Sequence, residues 1–199
     1  QKTATLFDFS DAAQRTRLSN FPDGAAGRRG IRIDQMDDTQ RAALFVLLGA
    51  ILSEAGVQNV RAQLAADDAV AATETEAPET DEATDTSGRP PVNFGSANYY
   101  TAFLGEPSTT SPFMVQFGGH HLAINATVVG PDVTLSPMLT GGEPLRVNVD
   151  GEATVIAAAE VAAADAFIAA LTDDQRAKAV ISDTRINLIE LLYARRSIF

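Results

Sequence analysis

The sequence of 199 residues has no cysteine, no tryptophan and only two histidines. Without cysteine, the chain forms no disulfide, no thiolate metal site and no thiol nucleophile. No apolar run reaches the roughly 18 residues that a membrane-spanning helix needs. The sequence also lacks a glycine-framed nucleophilic serine, a phosphate-binding loop and the spacing of zinc ligands. These absences leave the two histidines as the principal candidates for chemistry.

The formal net charge is −11, and the acidic excess is concentrated in one tract. Eight acidic residues and no basic residue lie between Asp67 and Gly88. The rest of the chain is only mildly acidic and lacks the basic surface that nucleic-acid binding requires. We therefore expect no nucleic-acid partner. The expected partner, a small molecule or a metal ion, follows from the histidine segment described below.

The acidic tract also predicts how the chain is organised. Residues 67–91 are rich in Ala, Thr, Glu, Asp and Pro and contain no aromatic residue, which predicts a flexible linker or long loop. This tract separates a helical N-terminal part, 1–66, from a mixed part, 92–199. We expect the two parts to form one domain around a common core.

Helix signals are strongest on both sides of the tract. Asp37 and Gln40 have the spacing of a capping box, and the apolar run 41–54 that follows predicts a buried central helix. A more polar second helix is predicted over 57–66. After the tract, the Ala-rich segment 157–171 predicts a third helix. Thr172 and Gln175 have the spacing of a second capping box, which predicts a fourth helix over about 175–181.

Strand signals lie between the tract and the last two helices. Alternating apolar residues predict strands over 113–117 and 120–129. Asp150-Gly151, a dipeptide preferred in tight turns, predicts a hairpin that joins 144–149 to 153–156. The fold class that follows is α+β, with a helical N-terminal layer packed on a small antiparallel sheet of hairpins and with C-terminal helices.

The two histidines, His120 and His121, are adjacent and follow two glycines. If they begin a strand, alternation directs His120 to the apolar face with Leu122 and His121 to the more polar face with Asn125. A histidine on an apolar face usually bonds backbone groups, whereas His121 would face a polar cleft. The adjacent rings would then reach a common ligand only if the glycines bend the strand.

The histidine segment predicts a binding site for either a divalent metal ion or a small ligand. As metal ligands, His120 and His121 would hold a divalent ion such as Zn²⁺ or Cu²⁺. Two imidazoles make an incomplete set, and Glu143 is the nearest carboxylate candidate along the sequence. Gln116, Asn125 and Glu143 are predicted to contact a small ligand.

The same segment resembles a known protein family. Residues 103–107, the core 118–125 with its pattern Gly-His-His-Leu-x-x-Asn, and Gly142-Glu143-Pro144 resemble an uncharacterised bacterial family, domain of unknown function 3500. The resemblance covers most of the chain outside the acidic tract. It implies a secreted or envelope-located protein whose signal segment lies outside this chain, and it implies no established activity.

Three function classes remain open at the level of sequence. The first is a binding protein for a metal ion or small ligand, with His121 at the centre of the site. The second is a metal-dependent enzyme, a hydrolase or oxidoreductase, in which His121 is a ligand or general base. The third is a structural or interaction module whose histidines only satisfy backbone groups. The ligand, the presence of a metal and the oligomeric state remain open as well.

Overall fold

A computed structural model describes residues 5–25, 27–76 and 92–182, and the chain divides into two compact units, 1–157 and 158–199. The described residues form α-helices, one seven-stranded sheet and one two-stranded sheet, which confirms the α+β class. The boundary at Ala157 divides the mixed part that the sequence predicts over 92–199. No helix in the described ranges has the length and apolarity required to cross a membrane.

The seven-stranded sheet lies entirely in the first unit. Its strands are β1 (Leu6–Phe7), β2 (Ile31–Arg32), β3 (Tyr100–Leu104), β4 (Phe113–Gly119), β5 (Leu122–Val129), β6 (Asp132–Leu135) and β7 (Leu139–Thr140). The strand order is β1-β3-β4-β5-β6, with β2 pairing to β3 and β7 pairing to β5. All pairs are antiparallel except β1 with β3, so the sheet is mixed and larger than predicted.

The histidines lie between two strands rather than inside one. Gly119 pairs with Leu122, so His120 and His121 form the two-residue turn that joins β4 to β5. His121 has a positive φ of 57°, a left-handed conformation that occurs in tight turns. The strand predicted over 120–129 therefore begins two residues later than expected, at Leu122. The assignment of the two rings to opposite faces by strand alternation is wrong.

Five α-helices are described, and two of them begin with the predicted capping boxes. Asp37 with Gln40 and Thr172 with Gln175 exchange the expected side-chain and backbone hydrogen bonds. These bonds satisfy amides that a helix start leaves free. The helices are α1 (Ala12–Arg15), α2 (Asp38–Ile51), α3 (Glu54–Glu76), α4 (Ala158–Ala169) and α5 (Asp173–Ala179), with 3₁₀ turns at Ile33–Gln35 and Ser96–Asn98.

The α2 helix is only partly buried, although its sequence is apolar nearly all round. Leu44 and Leu48 are buried against the core, whereas Val46 is 74% exposed. A helix at the edge of a two-layer packing buries one stripe, whatever the composition of its other faces. The prediction of a fully buried central helix is therefore wrong.

The α3 helix extends ten residues into the predicted linker. The first part of the acidic tract is helical through Glu76, because alanine favours helix and the helix packs against other elements of the first unit. Asp67, the first acid of the tract, is 3% exposed. Residues 77–91 of the predicted linker lie outside the described residues.

Two apolar clusters hold the first unit together. The main one places buried side chains of α2 and α3 against the sheet, including Leu48, Tyr99, Phe117 and Leu122. The smaller one packs Ala62, Ala66 and Ile156 beside the second sheet. That sheet is the predicted hairpin of β8 (Arg146–Val149) and β9 (Glu152–Val155), turned at Asp150-Gly151 with positive φ at both residues.

The close approach of Gly119 to Tyr99 gives a first prediction. A Cβ at Gly119 would lie 2.5 Å from the Tyr99 ring, so Gly119→Ala should lower the free energy of unfolding by about 1–3 kcal/mol. Gly49, on α2, has open space around it, and Gly49→Ala should raise that free energy by about 0.5–1 kcal/mol. Urea denaturation measures both changes. Equal effects of the two substitutions would contradict the packing described.

Candidate functional site

The backbone of the histidine turn is fixed by two neighbouring segments. The Tyr99 hydroxyl donates a hydrogen bond of 2.6 Å to the carbonyl of His120. The amide of His121 donates one of 3.2 Å to the carbonyl of Asn20, in the loop before β2. Such bonds hold the left-handed turn in place and fix the direction of both imidazoles.

A partly buried arginine ties the same loop to the end of β4. Nη2 of Arg28 donates to three carbonyls, those of Ser19, Phe21 and Gly119, at 3.1, 2.6 and 2.7 Å. Burial lowers the pKa of the Arg28 guanidinium, with the charge of Asp23 acting in the opposite direction. Arg28 therefore positions the loop that carries Asn20, a role that sequence patterns do not indicate.

His120 is held by a carboxylate from α3. Its Nδ1 lies 2.7 Å from Oδ1 of Asp67, and the two side chains are 10% and 3% exposed. The other oxygen, Oδ2, accepts the amide of Gly95 at 3.0 Å, and the Phe94 ring meets the imidazole edge-on. When the imidazole is neutral, a proton on Nδ1 that bonds to the carboxylate leaves the lone pair on Nε2 of His120.

His121 is held by an amide and has a second nitrogen that faces a carboxylate. Its Nδ1 lies 2.9 Å from Oδ1 of Asn20, so Nδ1 is the protonated nitrogen and Nε2 is an acceptor. Nε2 is buried and has no hydrogen-bond partner among the described residues. Oε2 of Glu143 lies 3.7 Å from Nε2, beyond hydrogen-bond distance.

The two imidazoles stack on each other, with ring centroids 3.9 Å apart and planes inclined by 29°. A lone pair lies in the plane of its ring, so stacked rings direct their acceptors side by side rather than at one point. Zinc needs each nitrogen about 2.0–2.1 Å from the ion. In the described part of the chain, no three His, Cys, Asp or Glu side chains are grouped as metal ligands. The arrangement therefore gives no support to His120 and His121 as a joint metal site.

Of the other predicted ligand residues, Glu143 reaches the site and Gln116 and Asn125 do not. Gln116 Nε2 donates to Asn125 Oδ1 at 2.9 Å, and Asn125 Nδ2 donates to the Pro137 carbonyl at 2.8 Å. Both are buried, and they lie opposite each other three rungs from the turn, roughly 10 Å away. Their amides join neighbouring segments of the unit, including Gln14 on α1.

Sequence reasoning misses Asp67 and Asn20, the residues that orient the imidazoles. Asp67 belongs to a tract whose composition indicates a linker, and its burial follows from the extension of α3. Asn20 is one of many polar loop residues. Both lie far from the histidines in sequence, 53 and 101 residues away. No local pattern links positions so far apart, so only the tertiary structure identifies them.

Burial lowers the pKa of His121 below its usual value, and the neighbouring His120 acts in the same direction. The charge of Glu143 opposes the shift without reversing it. The neutral imidazole is therefore the favoured form, and its buried acceptor nitrogen is available to a donor group. A carboxylate and a neutral imidazole that face each other at 3.7 Å form a pair of acceptors without a donor between them.

The pKa shift of His121 predicts a pH-dependent stability. Because its pKa is lower in the folded state than the unfolded value of about 6.5, the unfolded chain binds more protons as the pH falls below 6.5. The free energy of unfolding should decrease over that range and level off below the folded pKa. Ring-proton NMR shifts measure the titration directly, and His121→Asn suits the positive φ and removes it. A His121 midpoint at or above 6.5 would contradict the shift.

Asp67 should contribute far more to stability than its neighbour. Asp67→Ala leaves the buried Nδ1 of His120 and the amide of Gly95 unpaired, which should lower the free energy of unfolding by about 3 kcal/mol. Asp68 is exposed and accepts one bond, from the amide of Ser96, so Asp68→Ala is the matched control, with a loss below about 1 kcal/mol. Chemical denaturation compares them, and similar losses would contradict the contact with His120.

Comparison with known proteins places the chain in a family. Residues 1–196 match the family described as "Protein of unknown function (DUF3500)", which confirms the family resemblance inferred from the sequence. No curated protein and no solved structure matches the chain. The histidine turn is therefore interpreted from its own geometry. Since the match spans nearly all of the 199 residues, the chain belongs to the DUF3500 family of proteins of unknown function.

Proposed function

We propose that the chain is a binding protein for a small molecule that carries a primary ammonium group. The observation that carries this proposal is the buried Nε2 of His121, an acceptor without a partner among the described residues, 3.7 Å from the carboxylate of Glu143. A nitrogen that lies to one side of the line joining the two atoms can be about 2.9 Å from both. An ammonium group donates to both acceptors and neutralises the carboxylate.

The surrounding contacts support a preorganised site. Asn20 fixes the tautomer of His121, and the stacked ring of His120 is itself held by Asp67. Fixed acceptors bind a donor with little loss of side-chain freedom. Glu143 is 77% exposed, so the carboxylate provides the open side of the site through which a ligand enters.

A metal ion is less well matched to the same two acceptors. Zn²⁺ or Cu²⁺ would find one imidazole nitrogen and one carboxylate there, with water completing its shell. Sites that hold these ions usually have at least three protein ligands. The secreted or envelope location that the family resemblance implies stays a prediction, and the proposed ligand does not depend on it.

Binding of simple amines tests the proposal. Ethylenediamine and 1,4-diaminobutane should raise the melting temperature, whereas ethylene glycol and 1,4-butanediol should not. Glu143→Gln keeps the side-chain shape and removes the charge, so it should weaken amine binding about tenfold. His121→Asn should abolish binding. Glu152→Gln, at another exposed glutamate, is the matched control and should leave binding unchanged.

Three results would contradict the proposal. The first is the absence of stabilisation by any diamine. The second is an equal effect of Glu143→Gln and Glu152→Gln, which would indicate nonspecific attraction to an acidic surface. The third is stabilisation by Zn²⁺ or Cu²⁺ in place of the amines, lost in His121→Asn, which would assign the site to a metal ion.

An enzyme is the second candidate, favoured by the hydrogen bond between Asp67 and His120. A buried carboxylate that fixes Nδ1 of a histidine leaves Nε2 as a positioned base, an arrangement common to catalytic histidines. His120, rather than the predicted His121, would then be the general base. Hydrolysis of an ester that carries an amine, measured during the same titrations, would identify this function. The hydrolysis should be lost in His120→Gln while amine binding persists.

A further inference from the structure

A cavity of about 650 Å³ lies between the α2 helix and the neighbouring face of the sheet. Its lining is largely apolar and shares no residue with the histidine site. Ligand pockets typically enclose about 300–1,000 Å³, so its size suits a small organic molecule. The larger apolar side chains that line it include Leu6, Ile31, Met36, Leu44, Leu47 and Phe103.

A buried hydroxyl in this lining has no hydrogen-bond partner. Thr101, on β3, is 3% exposed, and its Oγ1 contacts no donor or acceptor among the described residues. Leaving such a group unpaired costs stability. Thr101 lines the cavity, and rotation about χ1 by one rotamer redirects its hydroxyl, so Oγ1 can turn toward a ligand. A ligand oxygen would then supply the missing partner.

The charge around the cavity restricts which ligands fit. Glu106 lies at its rim and is exposed, and the described residues that line the cavity include no Lys, Arg or His. A ligand carboxylate would be repelled by Glu106 and would find no cation to pair with among those residues. Fatty-acid-like ligands are therefore disfavoured relative to uncharged ones.

From these observations we propose that the cavity binds an uncharged lipophilic molecule that carries one hydroxyl or carbonyl group. The apolar body packs between α2 and the sheet, where it removes apolar surface from water. The polar group bonds to Thr101. This site is separate from the histidine turn, so either assignment can fail without the other.

The α2 helix offers a substitution that fills the cavity and a matched control. Ala43 lines the cavity and is exposed, so Ala43→Trp places a large ring in the mouth without displacing a core side chain. Val46 lies on the same helix, is 74% exposed and does not line the cavity. Val46→Trp therefore introduces the same ring elsewhere on α2.

Fluorescence of N-phenyl-1-naphthylamine, an uncharged lipophilic probe, measures binding to the full chain. The probe should show saturable enhancement and be displaced by 2-naphthol. Ala43→Trp should weaken probe binding at least tenfold, whereas Val46→Trp should not change it. The proposal would be overturned if the probe shows no saturable increase in fluorescence, or if the two variants lose probe binding equally.

Three related competitors test the ligand class. Thr101→Val should weaken displacement by 2-naphthol about fivefold and leave displacement by naphthalene unchanged, because only 2-naphthol has a hydroxyl. Displacement by 2-naphthoate should be weak and should improve in Glu106→Gln. If 2-naphthoate binds the original chain as tightly as 2-naphthol, or if Thr101→Val affects both neutral competitors equally, the assigned chemistry is wrong.

Discussion

The hydrogen bond between Asp67 and His120 is the contact on which the site depends. It joins the α3 helix to the turn between β4 and β5, through two residues that are 53 positions apart in the sequence. The carboxylate is almost fully buried, and a buried charge is tolerated only where donors surround it. The imidazole and the amide of Gly95 are those donors. The same bond thus stabilises the packing and fixes the imidazole.

The rest of the turn follows from this anchor. Stacking places the ring of His121 against that of His120, and Asn20 then fixes its tautomer. One nitrogen of each imidazole is used for structure, which leaves the other for chemistry. The Nε2 atom of His121 is buried and lies 3.7 Å from the carboxylate of Glu143. The proposed ammonium ligand would donate to both of these acceptors.

Features that depend on neighbouring residues could be predicted. The capping boxes at Asp37 and Thr172 and the tight turn at Asp150-Gly151 form as expected, because their hydrogen bonds and backbone angles involve residues within three positions. Predictions about features that depend on contacts with residues distant in the sequence were wrong in two places. The exposure of Val46 and the helical conformation around Asp67 depend on which faces are covered, and composition does not specify that.

By itself, the sequence determined the α+β class, and Glu143, the acid it predicted near the histidines, lies 3.7 Å from His121. Apolar periodicity and turn residues are local properties, and they were sufficient for the fold class. Only the tertiary structure showed that the imidazoles stack in a turn and that Asp67 and Asn20 orient them. It also separated Gln116 and Asn125 from the site. Hydrogen bonds act over about 3 Å, and chain folding alone brings distant residues to that distance.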